Sequence, residues 1–566
     1  MSCAQLPYLF QLALSQSQSY PKNTIYKTID AYPKFLERAE SQLSDREWDL
    51  FEDNPYEWEV PIRDLDTACG KDIDKYNVHN HQKLLERLGI CVQKPLTNAP
   101  TVISTRKDPK CRFIYLYGSH SRAKLRLTRA MLLDILTFHQ VMPTFLDFLY
   151  VFGQQSETTE LQFSSFKEQV VLTNPPDELV LPSLGRSGKH YQMCYNLKSA
   201  ALKSKNTENS TLNEWTIRQV VVHHQFDVIN GNILWIVLRG NIDIQQRFKA
   251  LTDRNARSED KSFGTPEDCF RSSLSAQLMY CYAATEDWRW YIKWLENVVD
   301  KEHIMAVIGP PGVGYAHKTY TPRDIQDLQI WEEKTRRVIL ALEGNLDVML
   351  ALVSFYRKLS RNKSFPLRKP CASDICAFAS QVENIVSDFR MQIKRAEFLV
   401  RTISDRRQLV IQHLQSQSAS RAERLSRSME QEQVFMLIIT VVTLIYLPAT
   451  FVSTFFSTNV VKYQDSNSPG GTFSAVAMKR WLQVTIPLTV LTCGVAYLAR
   501  QYMVGKRREG EFGLEEGRST LWTVKNFFNS SVALLPFHNR APHDPKGSFF
   551  NRVMTGRTQD IELSDT

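Results

Sequence analysis

Two long apolar runs stand close together near the C-terminus of this 566-residue chain. The first covers residues 434–456 and the second residues 481–499, and neither contains Asp, Glu, Lys or Arg. A helix needs about 20 apolar residues to cross a bilayer core of about 30 Å. Because charge-free runs of this length are unusual in water-soluble folds, the pattern predicts two transmembrane helices that form a hairpin.

A long helical pattern precedes the first run. Pro322 suits the first position of a helix capped by Thr321 and ending near Leu359, and a linker with two prolines follows. We expect a second helix to continue without a break from about Asp374 to Phe456. Its apolar residues recur at spacings of three and four, which favours coiled-coil-like packing. These seam residues are Ile375, Phe378, Val382, Ile385, Phe389, Ile393, Ala396, Leu399 and Ile403.

Strand and helix patterns are mixed between residues 109 and 320. Residues 112–117 (RFIYLY) predict a strand, and Thr128 predicts the cap of a helix that begins at Arg129. The pair Asn230-Gly231 lies between two β-rich runs, which is typical of a hairpin with a type I′ turn. Residues 271–299 have helical periodicity and many aromatic residues. This segment is therefore predicted to be an α/β domain.

The predicted fold is mostly α-helical: an α/β cytosolic domain, then long stalk helices, then a two-helix C-terminal transmembrane hairpin. The predicted division is 1–108 mixed N-terminal region, 109–320 α/β cytosolic domain, 321–433 stalk helices, 434–456 transmembrane helix 1, 457–480 outer loop, 481–504 transmembrane helix 2 and 505–566 cytosolic tail.

Charge near the two runs predicts the orientation of the hairpin. The net charge of +9 is modest for this length and gives no indication of a nucleic-acid partner. Basic residues flank the outer ends of the hairpin sequence, and short basic flanks tend to remain cytoplasmic. We therefore expect both termini in the cytosol and the connecting loop outside. The flanking residues are Arg421, Arg424 and Arg427 before the first run, and Arg500, Lys506, Arg507 and Arg508 after the second.

A stripe of hydroxyl groups runs along the first apolar segment. At 100° per residue its members share a narrow arc of a helix, while the other faces carry Val, Ile, Phe and Tyr. Two interpretations stay open, a wetted pore surface and ordinary packing in which each threonine bonds the preceding turn. The stripe consists of Met436, Thr440, Thr443, Leu447, Thr450, Thr454 and Thr458.

Catalytic and cofactor motifs are weak in this sequence. Residues 308–314 (IGPPGVG) begin like a phosphate-binding loop, but Tyr315 and Ala316 stand where that loop needs Lys and Ser or Thr. Adjacent His223 and His224 would point to opposite faces of a strand and could not easily share a metal. We expect neither an enzyme nor a bound cofactor. The absence of charge within the spans also argues against a proton relay.

The hairpin sequence resembles the CorA divalent-cation channels. A long cytosolic helix runs into the first of two C-terminal spans, which ends in a polar triplet closing on Asn459, and a basic tail follows the second span. The stretch TLIYLPATFVSTFFSTNVV resembles the divergent fungal CorA-like subgroup in particular. So do LTFHQVMPTFLDFLYVFG, WTIRQVVVHHQFD, CFRSSLSAQLM and DWRWYIKWLE further upstream.

This resemblance implies a homopentamer in the lipid bilayer whose first span lines an ion pore. The family's Gly-Met-Asn filter corresponds here to Ser457, Thr458 and Asn459, and only the asparagine is retained. Met436, Leu447 and Thr450 fall where the family's pore wall would run, and the stripe adds Thr440, Thr443 and Thr454. The implied substrate is a divalent cation, Mg²⁺ above all, which holds its water tightly.

The resulting prediction is a channel that passes divalent cations down their electrochemical gradient. The alternative is a membrane-anchored sensor or scaffold of the same architecture that has lost transport, because Ser457 and Thr458 replace the first two filter residues. The family's cytosolic sensor carboxylates cannot be assigned to residues of this chain.

Overall fold

The protein is described here by a computed structural model, whose residues fall into two compact units, Met1–Arg421 and Ala422–Thr566. The residues that the structure describes are 4–27, 32–65, 73–93, 101–104, 106–120, 122–154, 162–202, 215–240, 244–251, 257, 262–308, 320–457 and 475–511.

A seven-stranded mixed sheet is the centre of the first unit, with strand order β3-β2-β6-β10-β9-β8-β7. Strands β6 and β10 pair in parallel, and the other neighbours pair antiparallel. A separate antiparallel sheet has the order β1-β5-β4. The strands are β1 (Ala4–Gln5), β2 (Val60–Leu65), β3 (Asp74–Val78), β4 (Ile90–Gln93), β5 (Thr101–Ser104), β6 (Cys111–Tyr117), β7 (Phe166–Val171), β8 (His190–Leu202), β9 (Trp215–Asp227) and β10 (Ile233–Arg239).

Helices cover both faces of the large sheet and bury a separate apolar cluster on each. One cluster joins α1–α6 to one face, and the other joins α7–α10 and the start of α11 to the opposite face. The helices are α1 (Tyr8–Ser15), α2 (Pro33–Asp45), α3 (Glu47–Leu50), α4 (His81–Leu88), α5 (Arg129–His139), α6 (Phe145–Leu149), α7 (Ile244–Leu251), α8 (Pro266–Thr285), α9 (Trp288–Ile308), α10 (Pro322–Arg361), α11 (Ala372–Ser457) and α12 (Ala475–Glu511), and short 3₁₀ turns cover Ser17–Ser19, Pro55–Glu57, Asp177–Leu179 and Pro366–Arg368.

The predicted mixture of strands and helices is confirmed, including β6 and the start of α5. Thr128 accepts a hydrogen bond from the Met131 amide at 3.2 Å, as expected of a cap. The large sheet takes β2 and β3 from before residue 109 and five strands from after it. The predicted domain boundaries remain predictions, although strands on both sides of residue 108 lie in one sheet.

The hairpin between β9 and β10 is confirmed, but its predicted type I′ turn is wrong. Of the two central residues, Gly231 has a positive φ of 72° and Asn230 does not. The connection is longer because the Asp227 carboxylate accepts hydrogen bonds from the amides of Ile229 and Asn230, at 3.0 and 2.8 Å. An acidic side chain thus organises a wider loop than a two-residue turn.

The helical periodicity of residues 271–299 is confirmed, and two helices share this region. Helix α8 ends at Thr285 and α9 starts at Trp288. Asp287 between them has a φ of 64°, which no α-helix contains. The apolar spacing on either side of the break was similar enough to hide it.

Helices α10 and α11 match the predicted stalk segments closely. Thr321 and Asp324 form a reciprocal capping box at the start of α10. All nine predicted seam residues of α11 are buried, and they belong to the cluster that also contains the α10 core. The continuous helix into the first apolar run is confirmed, since α11 ends at Ser457. Coiled-coil packing remains a prediction.

Candidate functional site

The predicted pore-lining residues occupy the last part of α11, within the second unit. Met436 and Leu447 are each 67% exposed, and Thr440, Thr443, Thr450 and Thr454 are exposed as well. Every residue from 434 to 447 except Leu444 is exposed, so the exposure of the stripe is shared by the other faces of the helix. Thr458 and Asn459 lie outside the described residues, and Ser457 is the last residue of α11.

Each threonine of the stripe donates its hydroxyl proton to the helix backbone. Thr440 bonds the Met436 carbonyl at 2.7 Å, and Thr443 bonds the Ile439 carbonyl at 2.9 Å. Thr450 and Thr454 repeat the pattern with carbonyls one turn earlier, at 3.1 and 2.9 Å. A hydroxyl group that donates its proton to the backbone still has lone pairs on its oxygen. These lone pairs can accept a hydrogen bond from water or face a cation. The stripe is consequently a row of acceptors.

The buried residues of this segment lie on a different face of the same helix. Pro448 is buried, and Val452 is 3% exposed. At 100° per residue these two side chains are rotated by roughly 120–160° from the centre of the stripe. The bonds of the threonines to the preceding turn are those that the ordinary interpretation expects, and they leave oxygen lone pairs that a pore would use. Both interpretations of the stripe therefore remain predictions.

Contacts between α11 and α12 involve residues that sequence analysis did not single out. The Trp481 indole donates a hydrogen bond to the Ser453 hydroxyl at 3.1 Å. Thr485 is 6% exposed, and Thr489 and Thr492 on the same helix are half-buried. Their spacing of four and three residues is a helical stripe, and this signal was available in the sequence.

Three described helices are long and apolar enough to cross a membrane. The apolar windows of the two C-terminal helices have mean hydropathies of 2.3 and 1.5, and each is 6% buried. The third, in α10, has a mean hydropathy of 1.8 but is 56% buried inside the fold. Apolar composition alone therefore does not distinguish a core helix from a membrane helix, whereas burial does.

Metal-binding clusters are absent from the described parts of the chain, where no group of three or more His, Cys, Asp or Glu is arranged to hold an ion. His223 and His224 lie on opposite faces of β9 and are both fully buried. Burial lowers the pKa of His223 to about 3 and also lowers the pKa of His224. Both imidazoles are therefore neutral core groups.

Comparison with known proteins gives a family match for the N-terminal half of the chain. The family model of the CorA-like transporters matches residues 12–307, slightly more than half of the 566 residues. The hairpin and its polar triplet lie beyond the matched range. Among curated proteins, none matches the chain.

Two solved structures show a distant likeness. The CorA magnesium transporter from Methanocaldococcus jannaschii is 10% identical, and the match covers 77% of this chain and 96% of that chain with a TM-score of 0.28. The full-length CmaX protein is 12% identical, with 55% and 74% of the two chains covered and a TM-score of 0.20. At these scores neither structure carries an argument about individual residues here.

Proposed function

The chain belongs to the family of CorA-like transporters, and from this premise we propose that it forms a homo-oligomeric, pentameric channel for divalent cations. Its substrate is a divalent cation, with Mg²⁺ the expected species, and no bound cofactor is required. The ion moves down its electrochemical gradient, in which the membrane potential contributes about 2.3 kcal/mol per charge per 100 mV. The fungal CorA-like subgroup remains a prediction from sequence resemblance.

The observation that carries this proposal is the uncovered threonine stripe of α11. The free lone pairs of these hydroxyl oxygens would have no hydrogen-bond donor in lipid, because hydrocarbon offers none. Water in a pore would supply such donors. Several copies of the helix around a common axis would turn Thr443, Thr450 and their neighbours toward water. Hydroxyl acceptors suit a hydrated cation that keeps its water shell.

The proposed topology has two spans with both termini in the cytosol. The α10 window is more than half buried by its own chain, so it does not need lipid to cover it. The C-terminal windows are 6% buried and do need such a cover. Arg421, Arg424 and Arg427 are exposed just before the first span, in agreement with a cytosolic flank.

Ser457, Thr458 and Asn459 form the proposed selectivity filter, at the end of the first span where the stripe finishes. The Ser457 hydroxyl donates to the Thr454 carbonyl at 2.7 Å, so the last turn of the helix continues the acceptor row. In this proposal a ring of Asn459 amides contacts the water shell of the incoming ion, and Met436, Thr440, Thr443, Leu447, Thr450 and Thr454 line the path beyond it.

The test is Mg²⁺ uptake into liposomes that contain the purified full-length protein and a Mg²⁺-sensitive dye. We expect Asn459→Ala to reduce uptake at least tenfold, because it removes the amide from every copy in the ring and a total loss of about 1.4 kcal/mol already lowers a rate tenfold. Thr450→Val removes a stripe hydroxyl at constant shape and should also reduce uptake. Thr492→Val removes a hydroxyl from α12 and serves as the matched control.

Cysteine accessibility gives a second measurement of the same proposal. In the assembled protein, Thr443→Cys and Thr450→Cys should react with water-soluble thiol reagents, and Ile445→Cys, on the side of the helix opposite the stripe, should not. If the stripe cysteines are sealed while Asn459→Ala transports normally, the pore is not where we propose it.

The sensor or scaffold function remains a second candidate, favoured by Ser457 and Thr458 in place of Gly and Met. It predicts an oligomer that inserts normally but gives no cation flux into liposomes. It also predicts no rescue of a magnesium-dependent growth defect in transporter-deficient cells. The channel predicts flux and rescue, so the two functions differ in both assays.

A further inference from the structure

A cavity of about 60 Å³ lies at one end of the large sheet in the first unit, on the face that α5 covers. Its lining residues fall in the segments 108–112, 139–140, 179–190 and 225–234, all of which the structure describes. One water molecule needs about 10–15 Å³ of such space, so the cavity has room for a solute of about four to six non-hydrogen atoms.

Strand register explains why space remains at this point. Leu234 of β10 lies between its register partners, Arg112 of β6 and Gln225 of β9. Residues opposite one another in neighbouring strands point to the same face of a sheet. The leucine side chain is shorter than those of its two neighbours, so it leaves a gap between them, and the loop of residues 179–190 borders this gap.

The charged groups of the lining all have partners. Asp108 accepts hydrogen bonds from Arg186 at 2.7 Å and from Arg112 at 3.4 Å, and Arg112 also binds Asp64 at 2.9 Å. Asp227 accepts four hydrogen bonds from backbone and side-chain groups around it. A charged solute would therefore meet no free opposite charge in this lining, which favours a neutral one.

His139 contributes a buried hydrogen-bond donor to the lining. It is 5% exposed, and its Nδ1 lies 3.4 Å from the Arg186 Nη2. Burial, together with the Arg186 charge, lowers the pKa of His139 well below its usual value, so the imidazole is neutral. Because a guanidinium group can only donate, Nδ1 accepts and Nε2 carries the proton. This N–H group has no hydrogen-bond partner in the described parts of the chain.

Gln225 and His190 contribute acceptors to the same lining. The Gln225 Oε1 is buried and has no hydrogen-bond partner among the described residues. His190 is 7% exposed, and its Nδ1 lies 3.0 Å from the Gly188 carbonyl, which can only accept. Burial lowers the pKa of His190, so its ring is neutral, Nδ1 carries the proton and Nε2 is an acceptor. The lining thus offers one donor and two acceptors.

We propose that this cavity binds the carboxamide group of a small neutral solute, either a free small amide or the amide of a larger metabolite. A primary carboxamide has one carbonyl acceptor and two N–H donors, which complement the polar groups of the lining. The carbonyl accepts from the His139 Nε2, and the N–H bonds donate to the Gln225 Oε1 and the His190 Nε2. Buried polar atoms nearly always have a protein, water or ligand partner, and this solute supplies one. The site does not depend on cation conduction.

The test is saturation-transfer NMR on the full-length protein in detergent, with titrations of acetamide, acetone and acetate. These three probes have the same number of non-hydrogen atoms, so size is constant among them. Acetone lacks the N–H donors, and acetate lacks them and carries a charge. We expect saturable binding of acetamide, with a dissociation constant at least fivefold lower than that of acetone or acetate. This comparison on the parent protein needs no variant.

A matched pair of variants locates the site. Gln225→Met removes an acceptor at nearly constant side-chain length and should weaken acetamide binding at least fivefold. Gln169→Met makes the same substitution in β7, outside the cavity lining, and should bind acetamide as the parent protein does. Thermal unfolding of each variant establishes that it is folded.

Nicotinamide distinguishes the two sources of the amide, because it carries the same group on an aromatic ring. Weaker binding of nicotinamide than of acetamide assigns the site to a free small amide, and equal or tighter binding assigns it to the amide of a larger metabolite. The proposal is overturned if acetamide shows no saturable binding, in which case water satisfies the lining. It is also overturned if acetone or acetate binds as tightly as acetamide, or if the two variants bind acetamide equally.

Discussion

The α10 helix and the end of α11 contain apolar windows of similar hydropathy, but they use that apolarity in different ways. The α10 window is 56% buried by its own chain, with residues such as Leu352 and Tyr356 in the core of the first unit. The α11 window is 6% buried, and Pro448 and Val452 are the buried residues among those described between 434 and 457. The first unit covers its own apolar window, whereas the hairpin windows are left open to lipid and, in the proposed channel, to further copies of the chain.

The strongest test of this comparison substitutes one large apolar residue in each region. Phe113→Ala in β6 removes a fully buried ring that packs on Trp235 and Phe248, and we expect a loss of about 3–5 kcal/mol. Leu447→Ala removes a side chain that is 67% exposed in the single chain, so unfolding of the first unit should not change. Thermal unfolding in detergent, followed by tryptophan fluorescence, measures both.

Uptake of Mg²⁺ into liposomes separates the variants further. If Leu447 lines the pore, Leu447→Ala changes the rate of uptake without changing the melting temperature. A drop in melting temperature of the first unit for Leu447→Ala, equal to that for Phe113→Ala, would contradict the division into a self-sufficient unit and a dependent hairpin.

The same two regions show what sequence could predict. The seam from Ile375 to Ile403 was recognised because a buried helix face repeats every three or four residues, and all nine seam residues are buried. The break at Asp287 was missed because a single residue with positive φ leaves the apolar spacing on both sides intact. The Asp227 loop was missed for a similar reason, since a side chain that binds backbone amides has no periodic signature.

The candidate pathway was only partly readable from the sequence. Helical spacing alone defined the threonine stripe, but whether it faced α12 depended on the rotation of two helices, which no local pattern specifies. The cavity beside Leu234 depends on the register of β6, β10 and β9, which the sequence pattern does not specify. Both features required the three-dimensional arrangement.

Acidification tests the stability of the first unit separately from that of the hairpin. The first unit contains buried histidines, whereas residues 434–456 and 481–499 contain no histidine. Burial lowers the pKa of His223 to about 3, while an unfolded histidine titrates near 6.5. Between these values the unfolded chain binds the extra proton, so stability is present above about pH 6.5 and is lost as the pH falls toward 3. At pH 5 the loss from His223 alone is about 2 kcal/mol.

His223→Gln provides the control for this pH dependence, because glutamine does not titrate. The melting temperature of the first unit should fall less steeply between pH 6.5 and 5 in this variant. His139 and His224, whose pKa values burial also lowers, should retain part of the dependence. Identical slopes for the parent and the variant would show that His223 is accessible to protons in the folded protein.

The smallest expected effect concerns the hydrogen bond between Trp481 of α12 and Ser453 of α11. Trp481→Phe retains an aromatic ring but removes the hydrogen bond to Ser453, which is 3.1 Å long. Such bonds in membrane helices contribute about 0.6 kcal/mol on average. Ser453→Ala removes the other partner, and the double variant closes a thermodynamic cycle measured by unfolding of the hairpin in micelles. A coupling free energy near zero would mean that this bond does not determine the rotation of α11 about its axis relative to α12. In the proposed channel, contacts with other copies of the chain would then determine which way the threonine stripe faces.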